Sequence, residues 1–175
     1  MSARANLAYA YRSADRMKHA LPVYERTLAD RERALGPDHP DTLASMASLA
    51  SGYYATGKLK QALSLFAEVL YRREGRDGPD HPQTMAARGD LASAYHSSGR
   101  LAQAIPMYER TLQDHERIMG QDHPGTLAAR ANLAAAYDTV GWRTAAVALV
   151  QHTHGGEPPA HDLGGPAGEQ DSGEH

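Results

Sequence analysis

Cysteine is absent from the 175 residues, which excludes disulfides, thiolate metal sites and cysteine nucleophiles. Aromatic residues other than tyrosine are scarce: one Phe and one Trp stand beside nine Tyr. With abundant Ala and Leu, that favours closely packed helices over a β-sandwich core. Neither sign of charge dominates, since 18 Lys and Arg face 21 Asp and Glu for a net −3. A general nucleic-acid binder would carry a basic excess. No apolar run approaches the roughly 20 residues of a membrane-crossing helix. The opening MSARANLAYAYRSADR lacks the continuous apolar core of a signal peptide. The expectation is a soluble, cytoplasmic chain of one folded domain.

What is there is repetition. GPDHPDTLA occupies 36–44, GPDHPQTMA 78–86 and GQDHPGTLA 120–128, a step of 42 residues each time. The same step relates Leu7, Leu49, Leu91 and Leu133, then Tyr11, Tyr53, Tyr95 and Tyr137, then Ala20, Ala62, Ala104 and Ala146. Gly57, Gly99 and Gly141 follow it, with Asp15 in the first place. The units run at about 1–35, 36–77, 78–119 and 120–154. Residues 155–175, rich in Gly and Pro with almost nothing to bury, read as a disordered tail.

Each unit reads as two helices. Leu43, Met46, Ala47, Leu49, Ala50 and Tyr53 share one helical stripe; Leu59, Ala62, Leu63, Phe66, Val69 and Leu70 share another. Strict alternation is absent, so no strand is expected. Gly57 and its equivalents suit a left-handed stop between paired helices. Gly36 and Pro37 end a second helix, and Pro40 suits the first turn of the next. Pro22 and Pro106 fall slightly inside second helices. Small Ala50 opposite Ala62 lets two axes approach to about 8–9 Å. A two-helix unit cannot bury its own apolar stripe, so stacked units form a curved solenoid with one continuous core.

Catalytic patterns are missing or incomplete. GYYATGKL at 52–59 has the glycine–lysine spacing of a phosphate loop, but Leu59 stands where Ser or Thr is required, and no strand precedes it. HERIM at 115–119 lacks the second histidine of a zinc-protease helix, and no nucleophile elbow occurs. His39, His81 and His123 recur in the connectors, one repeat apart; the simplest role is seating the next helix, not holding metal. Arg26 with Asp30 and Arg110 with Asp114 are i, i+4 surface pairs. No catalytic residue, metal site or cofactor is assigned, and the chain is not expected to be an enzyme.

ANLAAAYDTVG at 131–141, followed by alanine at 146, resembles the tetratricopeptide repeat. The 42-residue period and the GPDHPDTLA connector resemble its long, kinesin-light-chain-like variety, common in bacterial regulatory proteins. The resemblance implies an all-α, right-handed superhelical solenoid of seven full helices and a shortened eighth, stopped near His152–His154. It also implies a non-catalytic interaction module in which first helices line a concave groove for a partner peptide or helix. By register, the groove candidates are Asn6, Ser48, Asp90 and Asn132, then Tyr9, Ser51 and Ser93, then Arg12, Tyr54, His96 and Asp138. Arg4, Arg88 and Arg130 recur at another first-helix position, interrupted by Met46. If they face the groove they favour an acidic partner; otherwise they are solvated or paired with acids of the next repeat. The alternative function is structural: a repeat segment of a larger bacterial regulatory protein or signalling ATPase, self-associating end to end through uncapped ends. Neither nucleic acid nor membrane is an expected partner.

Overall fold

A computed structural model describes residues 17–151. The expected first helix, with Asp15, and the segment after Gln151 lie outside the described residues. Seven helices follow in order: α1 (Met17–Leu35), α2 (Pro40–Ala55), α3 (Leu59–Asp77), α4 (Pro82–Ser97), α5 (Leu101–Met119), α6 (Pro124–Thr139) and the short α7 (Arg143–Gln151). No strand occurs among the described residues. Each helix packs on its neighbours in the chain, and α4 also touches α6 directly across α5.

Two kinds of helix end impose this alternation. Within a repeat, Gly57, Gly99 and Gly141 take positive φ of 76°, 74° and 84°. The residue after each glycine donates its N–H back to the preceding helix, Lys58 to Tyr53 O at 2.9 Å, Arg100 to Tyr95 O at 2.9 Å and Trp142 to Tyr137 O at 2.9 Å. Each glycine donates to the carbonyl three residues back. This is the Schellman pattern, in which a residue without a Cβ takes the conformation that closes the helix. Between repeats, Pro40, Pro82 and Pro124 open first helices, where a missing N–H costs no hydrogen bond.

The connector histidines have a defined task. His39, His81 and His123 are the N-caps of α2, α4 and α6. Their Nδ1 atoms accept the backbone N–H of Asp41 at 3.2 Å, Gln83 at 3.2 Å and Gly125 at 3.0 Å. Each imidazole thus satisfies one of the donors that a helix start leaves open.

Packing follows the two stripes. Ala50 and Ala62, and likewise Ala92 and Ala104, are fully buried where paired helices meet. Leu63 and Phe66 on α3 lie in one cluster with Leu91 and Ala94 of the following α4. Ile105 and Tyr108 on α5 cluster with Leu133 and Ala136 of α6. The core therefore crosses every repeat boundary. Gly52 marks the closest approach of α1 and α2: a Cβ there would stand 2.9 Å from Leu21 Cδ2 and 3.3 Å from Tyr24. Pro22 and Pro106 lie inside α1 and α5 without ending either helix.

His81→Ala should lower unfolding free energy by about 1 kcal/mol, with His81→Asn restoring most of it, because an amide oxygen is also a good N-cap acceptor. Urea denaturation of the two variants checks this.

Candidate interaction face

The first helices α2, α4 and α6 expose one stripe each at helical spacing. On α2 it holds Ala44, Ala47, Ser48 and Ser51; on α4, Ala86, Gly89, Asp90 and Ser93; on α6, Ala128, Ala131, Asn132, Ala135 and Asp138. These positions recur every 42 residues, so the stripes lie side by side. Polar bonds join the ends of successive first helices. Tyr54 Oη donates to Ser97 Oγ, and His96 Nε2 lies 3.1 Å from Thr139 Oγ1. With α4 touching α6, the first helices of successive repeats come together on one side of the stack.

Within this face Ser48, Asp90, Asn132 and Asp138 are exposed. Ser51 and Ser93 are half-buried, as are Tyr54 and His96. Ser48 Oγ and Ser51 Oγ donate to Ala44 O at 2.9 Å and Ala47 O at 3.0 Å, so both hydroxyls are already satisfied within α2. Ser93 Oγ donates to Gly89 O at 2.9 Å and accepts the Tyr108 hydroxyl at 3.0 Å. His96 meets the Tyr108 ring edge-on at 6.1 Å between centroids. Asn6, Tyr9 and Arg12 lie outside the described residues.

The register alone missed the members that come from neighbouring elements: Ser97, Thr139, Tyr108 and Arg73. Ser97 and Thr139 carried a signal, since each follows its partner by 43 residues. Asp90 is exposed but crowded by protein, and desolvation raises its carboxyl pKa against the opposing pull of Arg73. Arg73 is buried and donates to Gln83 O at 2.7 Å. Burial lowers the pKa of its guanidinium, with Asp90 and Asp77 pulling it back. Burial, then Ser93 and Tyr54, perturb Tyr108, whose phenol is raised overall.

The arginines do not face a partner. Arg88 is 3% exposed. Its guanidinium meets Asp114 Oδ2 of its own repeat at 2.6 Å, and Glu74 Oε1 of the preceding repeat at 3.3 Å. Arg130, also buried, meets Glu116 Oε1 of the preceding repeat at 2.7 Å. Both therefore leave the set of groove residues, and the argument for an acidic partner that rested on them goes too. Their partners also differ from the expected acids of the next repeat.

Similar links tie the outer layer. Asp38 meets Arg72 at 3.4 Å and accepts from Arg76 at its carbonyl, 3.0 Å away, while Asp80 meets Arg117 at 2.5 Å. Tyr53 and Tyr137, expected as spacers between helices, also donate to Glu25 at 2.8 Å and Glu109 at 2.6 Å. The bond to Glu25 raises the Tyr53 phenol; burial, then Glu109, raises that of Tyr137. Arg110 reaches Asp114 at 3.9 Å, whereas Asp30 is met by Arg33 at 3.5 Å. Lys58, the lysine of the apparent phosphate loop, lies over the Tyr53 ring 5.3 Å from its centroid. Among the described residues no three His, Asp or Glu side chains group as metal ligands, and no helix is long and apolar enough to cross a membrane.

Stacked two-helix units with in-register first helices define an all-α repeat solenoid. The chain belongs to the tetratricopeptide repeat family, whose model matches residues 1–74, 47–114 and 91–154. It is similar to a structure from Podosopora anserina, described as a kinesin light chain with nearly identical TPR-like repeats (28% identity, TM-score 0.79, covering 86% of this chain and 71% of that one). A single-substitution variant of that protein matches equally. BtubC (BKLC) from P. vanneervenii shares the fold at 22% identity and TM-score 0.75, over 90% of this chain and 66% of that one. No curated protein matches the chain. Repeats of this family generally mediate protein–protein interaction and are typically non-catalytic.

Arg88→Met should destabilise the fold by about 1–3 kcal/mol. The figure falls below the usual cost of breaking a buried pair because Asp114 keeps Arg117 at 3.3 Å and Glu74 can hydrate. Arg110→Gln, at the exposed end of the same network, should change stability little. Urea unfolding of both variants makes the comparison.

Proposed function

We propose that the chain is a non-catalytic interaction module that holds an extended segment of a partner protein along the face of α2, α4 and α6. The observation that carries this reading is the in-register stripe of small and polar residues, with Ser48, Asp90 and Asn132 exposed at one matched position. Ala44, Ala86 and Ala128 leave the floor low, so a backbone can approach. An amide such as Asn132 can both donate to and accept from that backbone. Each such bond adds only about 0.5–1.5 kcal/mol, so several repeats must act together.

The test fills the face without touching the core. Ala86→Trp and Ala128→Trp replace exposed alanines and should leave helicity unchanged. Both should abolish capture of a partner and its hydrogen-exchange footprint on α4 and α6. Retention of the partner by both variants moves binding to another surface.

A second reading, end-to-end assembly, rests on α7. Val147 and Val150 are 51% and 60% exposed. Their equivalents one repeat earlier, Ile105 and Tyr108, are buried in a cluster with α6. Leu127 is likewise exposed where Leu43 and Met85 are buried. On this reading the wild type sediments with a mass that rises with concentration. Val150→Asp holds it monomeric, and Ala128→Trp has no effect. A monomer across the range removes the reading.

A further inference from the structure

The charges of the first-helix face specify the chemistry of its partner; this rests on the reading that α2, α4 and α6 form the binding face. Those helices carry as formally charged residues only Asp41, Arg88, Asp90, Arg130 and Asp138. Both cations are buried and paired with carboxylates of α3 and α5. All three carboxylates are exposed. The accessible charge of the layer is therefore entirely negative, although its sequence is nearly balanced. Asp41 lies in the first turn of α2, where the helix's positive end offsets its charge. Asp90 and Asp138 stand further along their helices, on the exposed stripes; Asp90 also feels the buried Arg73 of α3, which donates to Gln83 O and stays out of reach of a partner.

A second feature points to the same ligand. The turn after each first helix carries Lys58, then Arg100, then Trp142 at one matched position. The cation found at this turn in two repeats is replaced by an aromatic ring in the third, four residues after Asp138. Trp142 is 51% exposed and leans on Tyr137, with centroids 5.3 Å apart. An exposed indole at the end of the helix that carries Asp138 offers its free ring face to an ammonium or guanidinium group.

We infer that the face takes an extended, basic segment of a partner protein. The spacing of its cations follows from the fold. Asp90 and Asp138 sit one repeat apart and six residues apart in register. With about 1.5 Å of rise per residue and at least roughly 10 Å between the axes of α4 and α6, which meet only across α5, they are separated by roughly 13 Å or more. An extended chain advances about 3.3 Å per residue, so two Lys or Arg about four or five residues apart reach both. Ala86, Ala128 and Ala131 leave room for the alkyl stems to lie flat, and the exposed Asn132, at the register of Asp90 on α6, is available to hold the backbone.

Three labelled Gly/Ser-based peptides, carrying Lys, Glu or Ser at two positions with this spacing, provide the test by fluorescence anisotropy at low and high salt. The Lys peptide should bind and weaken as salt rises, whereas the Glu and Ser peptides should not bind. Asp90→Asn and Asp138→Asn should each weaken binding about two- to fivefold. Asp122→Asn, in a connector, should leave it unchanged. Equal binding of the Lys peptide to the Asp90→Asn, Asp138→Asn double variant, or no binding of it at all, overturns the inference. Binding of the Ser or Glu peptide that is lost in Ala128→Trp preserves the face but overturns its preference for cations. Binding of the Lys peptide that survives both Ala86→Trp and Ala128→Trp rejects the face itself.

Discussion

Every helix pair in this chain has more apolar surface than it can cover alone, and the rest of the structure follows from that shortage. Leu63 and Phe66 of α3 are buried together with residues of α4, which belongs to the next repeat, and Ile105 and Tyr108 of α5 together with residues of α6. The hydrophobic gain therefore accrues at the junctions as much as within the units. It can be collected only if successive units arrive in a constant orientation. Fully buried alanines set the distance between paired helices, and the Gly-Pro/Gln-Asp-His-Pro connector sets the entry to the next. Glycine ends one helix, proline begins another and histidine caps it.

The same junctions decide where charge goes. A guanidinium can be buried only if carboxylates meet its donors. Arg88 and Arg130 meet Glu74, Asp114 and Glu116. Carboxylates that could have repelled one another along the second helices instead bind adjacent elements together. The first-helix face loses its cations to the core while its carboxylates stay in contact with solvent. Net charge per helix, which is zero for α4 and for α6, would miss the negative charge left exposed there.

Much of the architecture was legible because it is written in local rules repeated at one period. Gly57 ends α2 through its positive φ, a conformation that a residue without a Cβ adopts readily. Ala62 and Ala104 announce close contact by lacking bulk. The connector histidines could be set aside as metal ligands from their spacing, but the specific N-cap bond through Nδ1 required coordinates. Register put Ser48, Asp90 and Asn132 at one matched position of successive first helices, and all three are exposed. The same register grouped Arg88 and Arg130 with them, although those side chains are buried in the stack.

The sequence by itself determined the repeat length, the helical class, the glycine and proline ends of the repeated helices and the absence of a complete catalytic motif, because spacing, φ preference and side-chain chemistry are properties of a segment. Only the tertiary structure decided which periodic polar residues are accessible. Arg88 and Asp90 are two positions apart on one helix, yet a turn of about 200° separates them. One side chain meets a carboxylate of the preceding repeat and another of its own second helix and disappears from the surface; the other stays on it. That outcome depends on what the neighbouring helices present at contact, which no single segment contains.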